Sequence, residues 1–238
     1  MNSAAINILR GSKHSLLAIA LLLAAVLFTA RTANTQQLQR GISVNMPVTT
    51  SAAPMPDADN ANALIVTATR NGGVYFGLDS ITPAALPEKL SASLSNREQH
   101  LYIKADARTP YANVAQVLEA ARTAGLTAAI LLTSQPESPA PGTIVPPKGL
   151  SVFVGVVPAS DAPVVQLSSG QPSSTLKINN RVLPWTDLQT RLQQILQDRS
   201  DKVIRVRADG TTPFAEVAHV IDVCHAAGAK VILATPEL

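Results

Sequence analysis

The stretch IKADARTPYANVAQVLEAARTAG (residues 103–125) returns 103 residues later as VRADGTTPFAEVAHVIDVCHAAG (residues 206–228). Without a gap, Ala105, Asp106, Thr109, Pro110, Ala112, Val114, Ala115, Val117, Ala124 and Gly125 recur as Ala208, Asp209, Thr212, Pro213, Ala215, Val217, Ala218, Val220, Ala227 and Gly228. Most of the remaining changes are conservative, such as Tyr111 to Phe214 and Glu119 to Asp222. The likeness extends outward: LDSITPAALPEKL (78–90) answers to INNRVLPWTDLQTRL (178–192), and GISVNMPVTTSAAP (41–54) more loosely to GLSVFVGVVPASDAP (149–163). An internal repeat has to be recognised before any element is assigned. The chain therefore reads as two copies of one module.

Each copy alternates strand and helix signals. In the first, residues 63–69 and 74–78 are short β-rich runs around Asn71-Gly72-Gly73, a hairpin signal. Thr82-Pro83 supplies an N-cap and a first-turn proline, and residues 84–94 carry apolar side chains at helical spacing. Leu101, Ile103 and Ala105 alternate with Tyr102 and Lys104, as in a half-buried strand. Thr109-Pro110 then caps a second helix, whose face Val114, Val117, Leu118 and Ala121 precedes Gly125 at the position of a left-handed C-terminal cap. Residues 127–133, TAAILLT, form a near-continuous apolar strand. The second copy repeats the order with 164–168, 175–179, 185–196, 202–208, 213–227 and 230–235. The expected class is α+β: two tandem ββαβαβ modules, each with two helices on one face of a mixed sheet.

Residues 15–30, SLLAIALLLAAVLFTA, carry no charge and are flanked by Arg10, Lys13, Arg31 and Arg40. At 1.5 Å rise per residue this apolar run is about 24 Å long, a little short of the hydrocarbon core, and Lys13 and residues 32–34 extend it. A retained signal-anchor is the preferred reading. A cleaved signal peptide is the alternative, although a cut after Ala33 or Ala30 places Arg31 or Phe28 at −3. The organisation expected is a short cytoplasmic N-terminus (1–14), a transmembrane signal-anchor (15–33), an extended arm (34–62), the first module (63–134), a Pro-rich linker (135–150) and the second module (151–238). The linker segment QPESPAPGTIVPPKG (135–149) holds five prolines.

Composition excludes several functions. The 238 residues are 46% hydrophobic and 15% charged, with a net charge of +3. No Lys/Arg run appears, which argues against nucleic acid. A single cysteine, four scattered histidines and no Gly-rich phosphate loop or G-x-S-x-G elbow leave no constellation for catalysis. No catalytic residue, metal ligand or cofactor is expected, and the chain does not read as an enzyme.

The phrases YIKADARTPYANVAQVLEAARTAGLTAAILLT and RVRADGTTPFAEVAHVIDVCHAAGAKVILATPE resemble the outer domain of ExbD/TolR proteins, where a strand ending in R-A-D leads through a Pro-aromatic pair into a helix. ISVNMPVTTSAAP resembles that family's juxtamembrane run. The resemblance implies a single-span bacterial inner-membrane protein with a cytoplasmic N-terminus and a periplasmic bulk, without enzymatic activity. It also implies a multi-span ExbB/TolQ-like partner, and contact with a TonB-like protein or peptidoglycan. It implies transport or energy transduction coupled to the proton-motive force. Two departures stand out. The family's membrane helix normally carries an Asp, whereas residues 15–30 contain no Asp or Glu. The outer module is duplicated, so the two copies are expected to form an internal pseudo-dimer. The alternative function is an extracytoplasmic binding module, released or tethered, with no part in proton transport.

Among individual residues, Asp106 and Asp209 end a strand three residues before a Thr-Pro helix start. They are candidates for partner contact or for ordering the loop through backbone N–H groups. His219, Asp222, Cys224 and His225 crowd one helix, but His219 and His225 lie about 120° apart around it, which disfavours a metal site. Glu119 and Arg122 stand at the places of Asp222 and His225, a pairing that belongs on a solvated helix face. Trp185 and Phe214, at helix starts, read as packing residues.

Overall fold

The computed structural model describes residues 41–94, 99–136, 146–154 and 161–234. The expected membrane segment lies outside the described residues, and among those described no helix is long and apolar enough to cross a membrane. The described residues form the α+β architecture expected of the class. Its strands are β1 (Ala53–Pro54), β2 (Leu64–Ala68), β3 (Val74–Phe76), β4 (Asp79–Ile81), β5 (Leu101–Ala105), β6 (Ala128–Thr133), β7 (Lys148–Phe153), β8 (Val164–Ser168), β9 (Thr175–Ile178), β10 (Arg181–Val182), β11 (Val203–Ala208) and β12 (Lys230–Leu233). The helices are α1 (Leu86–Ser93), α2 (Tyr111–Thr123), α3 (Leu188–Gln197) and α4 (Phe214–Ala226). Short 3₁₀ turns occupy Pro56–Asp59 and Trp185–Asp187.

The strand order β4-β3-β2-β5-β6 in the first half is the order β10-β9-β8-β11-β12 in the second. In each half three parallel strands are joined by α crossovers, and a hairpin extends one side antiparallel. Between the halves lies β7. It pairs antiparallel with β6 along its whole length, from Lys148 opposite Thr133 to Phe153 opposite Ala128. Its other edge is shared, parallel with β12 at Val152 and Phe153 and antiparallel with β1 at Lys148 and Gly149. One continuous sheet results. The strand begins inside the segment expected to be a Pro-rich linker. Its side chains Leu150 and Val152 are fully buried, so burial on the shared face overrides the nearby prolines.

Gly149 has a steric reason to be glycine. A Cβ there would lie 2.4 Å from Ile130 Cγ2 and 3.2 Å from the Leu131 carbonyl oxygen. We expect Gly149→Ala to destabilise by about 1–3 kcal/mol, read as a lower urea midpoint with an unchanged m-value.

All four helices cover one face. Their buried side chains join Leu64, Val66, Ala68, Leu101, Ile103 and Ala105 of the first half and Val165, Leu167, Ile204 and Val206 of the second in a single cluster. The opposite face differs between halves. In the first, Ile65, Tyr102, Ile130 and Leu132 are covered by Met46, Met55 and Ala58 of the arm and by Ala63 just after it. Tyr102 and Lys104, expected to face solvent, are therefore buried. Lys104 lies under the arm, where burial lowers its pKa and the charge of Asp59 opposes that lowering. The counterpart strand β11 keeps the alternating pattern of a half-buried strand, and among the described residues no such arm covers it.

Local signals are met unevenly. Gly72, Gly125 and Gly228 all take the left-handed backbone expected of a hairpin and two helix C-termini. Thr82-Pro83 does not start a helix; the Ala85 N–H closes a turn onto the Thr82 carbonyl and α1 begins at Leu86. Beyond Phe76, the chain turns at Gly77 and returns as the edge strand β4.

Candidate functional site

Asp106 and Asp209 end β5 and β11 in the same way. Their N–H groups donate to Ala68 and Leu167, and their carbonyls accept the N–H of Thr109 and Thr212. The tight turn this produces delivers each Thr-Pro pair to the seam between the two halves, where the two meet. Pro110 and Pro213 face one another as an antiparallel bridge. The Tyr111 N–H donates to the Thr212 carbonyl at 2.8 Å, and the Phe214 N–H to the Thr109 carbonyl at 2.9 Å. The next residues repeat the exchange: Ala112 donates to Gly210 and Ala215 to Ala107, both at 2.9 Å. Every bond has its counterpart at the repeat offset, which is the signature of an isologous two-fold contact.

This geometry changes what the Thr-Pro pairs do. A helix start leaves its first N–H groups without partners inside the helix, and a Thr was expected to cap them from within the chain's own turn. Neither α2 nor α4 has a side-chain cap. The partners are carbonyls of the other half instead, and the Thr109 hydroxyl is left to accept from Asn113 Nδ2 at 2.9 Å. Tyr111 and Phe214 follow directly and are fully buried. The Tyr111 hydroxyl, carrying a donor that Phe214 lacks, reaches the Ala234 carbonyl at 3.0 Å.

The two aspartates, alike in the backbone, differ in their carboxylates. Asp106 accepts Arg108 N–H at 3.0 Å, Arg108 Nε at 2.9 Å and Nη2 at 3.0 Å, with the Asn45 N–H at 3.4 Å. The guanidinium and these backbone donors hold its carboxyl well below the usual range, at about 2. Arg108 is matched in the repeat by Thr211, and among the described residues the carboxylate of Asp209 receives the Ser169 N–H alone, at 3.0 Å. Because the folded state lowers the pKa of Asp106, its stabilising contribution is complete above the ordinary value of 3.8 and is lost as pH falls towards about 2. We expect Asp106→Asn to remove that part of the acid dependence, measured as urea stability between pH 2 and 5.

The crowded face of α4 is organised by the arm. Asp222 is buried and accepts the Thr50 N–H at 2.9 Å, the Thr50 hydroxyl at 3.0 Å and the Ser51 N–H at 2.7 Å. The solvated face inferred from Glu119 and Arg122 holds in the first half, where those two pair in the open. It fails in the second, because the arm crosses over and closes on Asp222. Cys224 is sealed in the core, which pushes its thiol up to about 12. His219 stacks on Trp185 with ring centroids 5.8 Å apart. Burial lowers the pKa of His225, against a hydrogen bond to the Ser151 backbone and the charge of Asp222. Among the described residues no three His, Cys, Asp or Glu side chains converge as a metal-binding group. Thr50 and Ser51 escaped the sequence reading, since nothing in a run of small polar residues names a carboxylate 171 residues away.

A family model described as biopolymer transport protein ExbD/TolR matches residues 12–136 and again residues 138–237. No curated protein matches the chain at a significant level.

Proposed function

We propose, since this chain belongs to the ExbD/TolR family over both of its halves, that it is a non-enzymatic, membrane-anchored component of a proton-motive-force-coupled envelope transport complex. It acts by protein–protein contact, and its two modules stand in for the pair of outer domains that two separate chains supply elsewhere in the family. The observation that carries this is the reciprocal exchange at the Thr-Pro loops. Two family copies in one chain meet there with four matched backbone bonds, so the dimer-like unit needs no second molecule. In this reading the segment 15–33 anchors the protein in a bacterial inner membrane with the N-terminus in the cytoplasm and the modules in the periplasm. An ExbB/TolQ-like multi-span protein is its membrane partner, and a TonB-like protein or peptidoglycan its outer one.

Residues 15–30 offer no carboxylate, and a proton relay within a bilayer needs an ionisable group. The chain therefore serves as an accessory beside a subunit that carries the acid. The same absence favours a second reading, a tethered or released extracytoplasmic binding module with no part in proton transport. Detergent extraction of the tagged full chain separates the two. A multi-span partner that co-purifies, together with an intact Met1 by N-terminal sequencing, supports the complex. A mature N-terminus near Asn34 and no membrane partner support the binding module.

A further inference from the structure

The sheet ends in two unlike edges. Its strand order runs from β10 at one side to β4 at the other, and among the described residues no strand pairs with the outer side of either. An unpaired row of N–H and C=O groups is a template for another strand. Of the three large apolar side chains exposed among the described residues, two stand at these edges: Leu78, 72% exposed, just before β4, and Val182, 68% exposed, in β10. The charges there are opposite. Asp79 opens β4 and Arg181 opens β10, both are exposed, and among the described residues neither has an ion-pair partner.

The backbone fixes how such edges meet. Traced through the pairings across the sheet, β4 and β10 run in opposite directions. A second copy in the same orientation therefore lays its β10 antiparallel to β4, with all helices on one face. Each edge hairpin has a two-residue loop closed by an inward-bonded pair, Phe76 with Asp79 and Ile178 with Arg181. The Leu183 N–H also turns inward, to the Leu176 carbonyl at 2.9 Å. By alternation, Ser80 and Val182 direct their N–H and C=O outward. Setting these two residues opposite one another exchanges two backbone hydrogen bonds and fixes one register. In that register Asp79 is diagonal to Arg181 on the helix-bearing face, where Phe76 and Ile178 pack, and Leu78 comes alongside Val182. Opposite charges at this spacing attract. Pairing like edges in the same way would set Asp79 diagonal to Asp79, or Arg181 to Arg181. We infer that the chain binds a second copy of itself head to tail, β4 of one against β10 of the next. The contact is heterologous and leaves a free edge at each end, so it propagates as an open array. It goes beyond the membrane partnership proposed above and does not depend on it.

Engineered cysteines test this on the full chain in detergent, because the native Cys224 is buried. A hydrogen-bonded antiparallel pair has Cα atoms about 5.5 Å apart, within disulfide reach. Inside one molecule the two edges are ten strand spacings, about 48 Å, apart along the sheet, so the bridge forms only between molecules. Differently tagged Ser80→Cys and Val182→Cys chains, mixed and oxidised, should give the hybrid dimer at least tenfold faster than either variant gives its own dimer. Ser91→Cys, exposed on α1, mixed with Val182→Cys supplies the collisional rate. A chain carrying both edge cysteines should yield a ladder of dimers, trimers and higher multimers. Arg181→Asp added to the Val182→Cys chain should slow the hybrid at least threefold, and Asp79→Arg added to its partner should restore it. A hybrid no faster than the Ser91→Cys control, like-edge dimers that form as fast, or a doubly substituted chain that stops at dimers would each overturn the assignment. None of these outcomes alters co-purification of a membrane partner, so the two readings fail separately.

Discussion

Phe214→Ala is expected to lower unfolding free energy by about 3–5 kcal/mol, an effect felt in both halves at once. The side chain is fully buried in the cluster shared by all four helices. Its own N–H is one of the four bonds that cross between the Thr-Pro loops. Truncation leaves a cavity where the helix starts of the two halves exchange backbone bonds, and the surrounding strands belong to a single sheet that cannot collapse one half without moving the other. Urea unfolding followed by Trp185 fluorescence, which reports the second half, should therefore shift together with far-UV circular dichroism, which reports both. Two separated transitions, with only the fluorescence transition moved, would falsify the idea that the shared sheet makes one cooperative unit.

Asp222→Ala should cost about 2–4 kcal/mol, from three donors on a buried carboxylate that lose their acceptor. It should also free the arm. Thr50 and Ser51 are held by Asp222, and Ala53-Pro54 pairs with β7 just beyond. Loss of the first contact leaves the stretch between Thr49, which stays bonded to Ser134 and Thr133, and the two-residue strand β1 without its central fastening. Limited proteolysis should then cut between residues 50 and 56 in the variant and spare that stretch in the parent. Glu119→Ala, at the corresponding place in the first half, removes only an exposed ion pair with Arg122 and should change stability by less than about 0.5 kcal/mol. If the two substitutions behave alike, the arm is not fastened through Asp222.

The asymmetry between these two positions marks where sequence reading stops. Glu119 and Asp222 are the same point of the same helix, with the same apolar spacing around them, and a local argument must give them the same environment. They part because the arm crosses to the second half and covers one of them. Tyr102 and Lys104 show the same limit: an alternating strand announces one solvated face, and only the arm folded beneath the sheet turns that face into an interior. The strand β7 was hidden for a related reason. Its neighbours in sequence are prolines, while its neighbours in space are β6, β12 and β1.

The candidate site divides in the same way. The aspartate before each Thr-Pro helix start, the buried aromatic after it and the glycine at the helix end were all readable, because each is demanded by the turn or the helix within a few residues. That Thr109 and Thr212 serve the opposite helix with their carbonyls was not. A Thr-Pro pair looks like a cap for its own helix until a second copy comes within hydrogen-bond distance.

The duplication, the α+β class, the ββαβαβ sequence of elements to which the structure adds the edge strands β4 and β10, and the absence of a carboxylate in residues 15–30 follow from the sequence alone, since each rests on short-range spacing or on bare composition. Tertiary structure decided how the copies join: β7 inserted between β6 and β12, helix starts capping one another across the axis, and an arm clamped on Asp222. Those outcomes depend on which backbone donors and apolar faces are still unsatisfied once each half has folded, and that residue of unmet demand exists only in three dimensions.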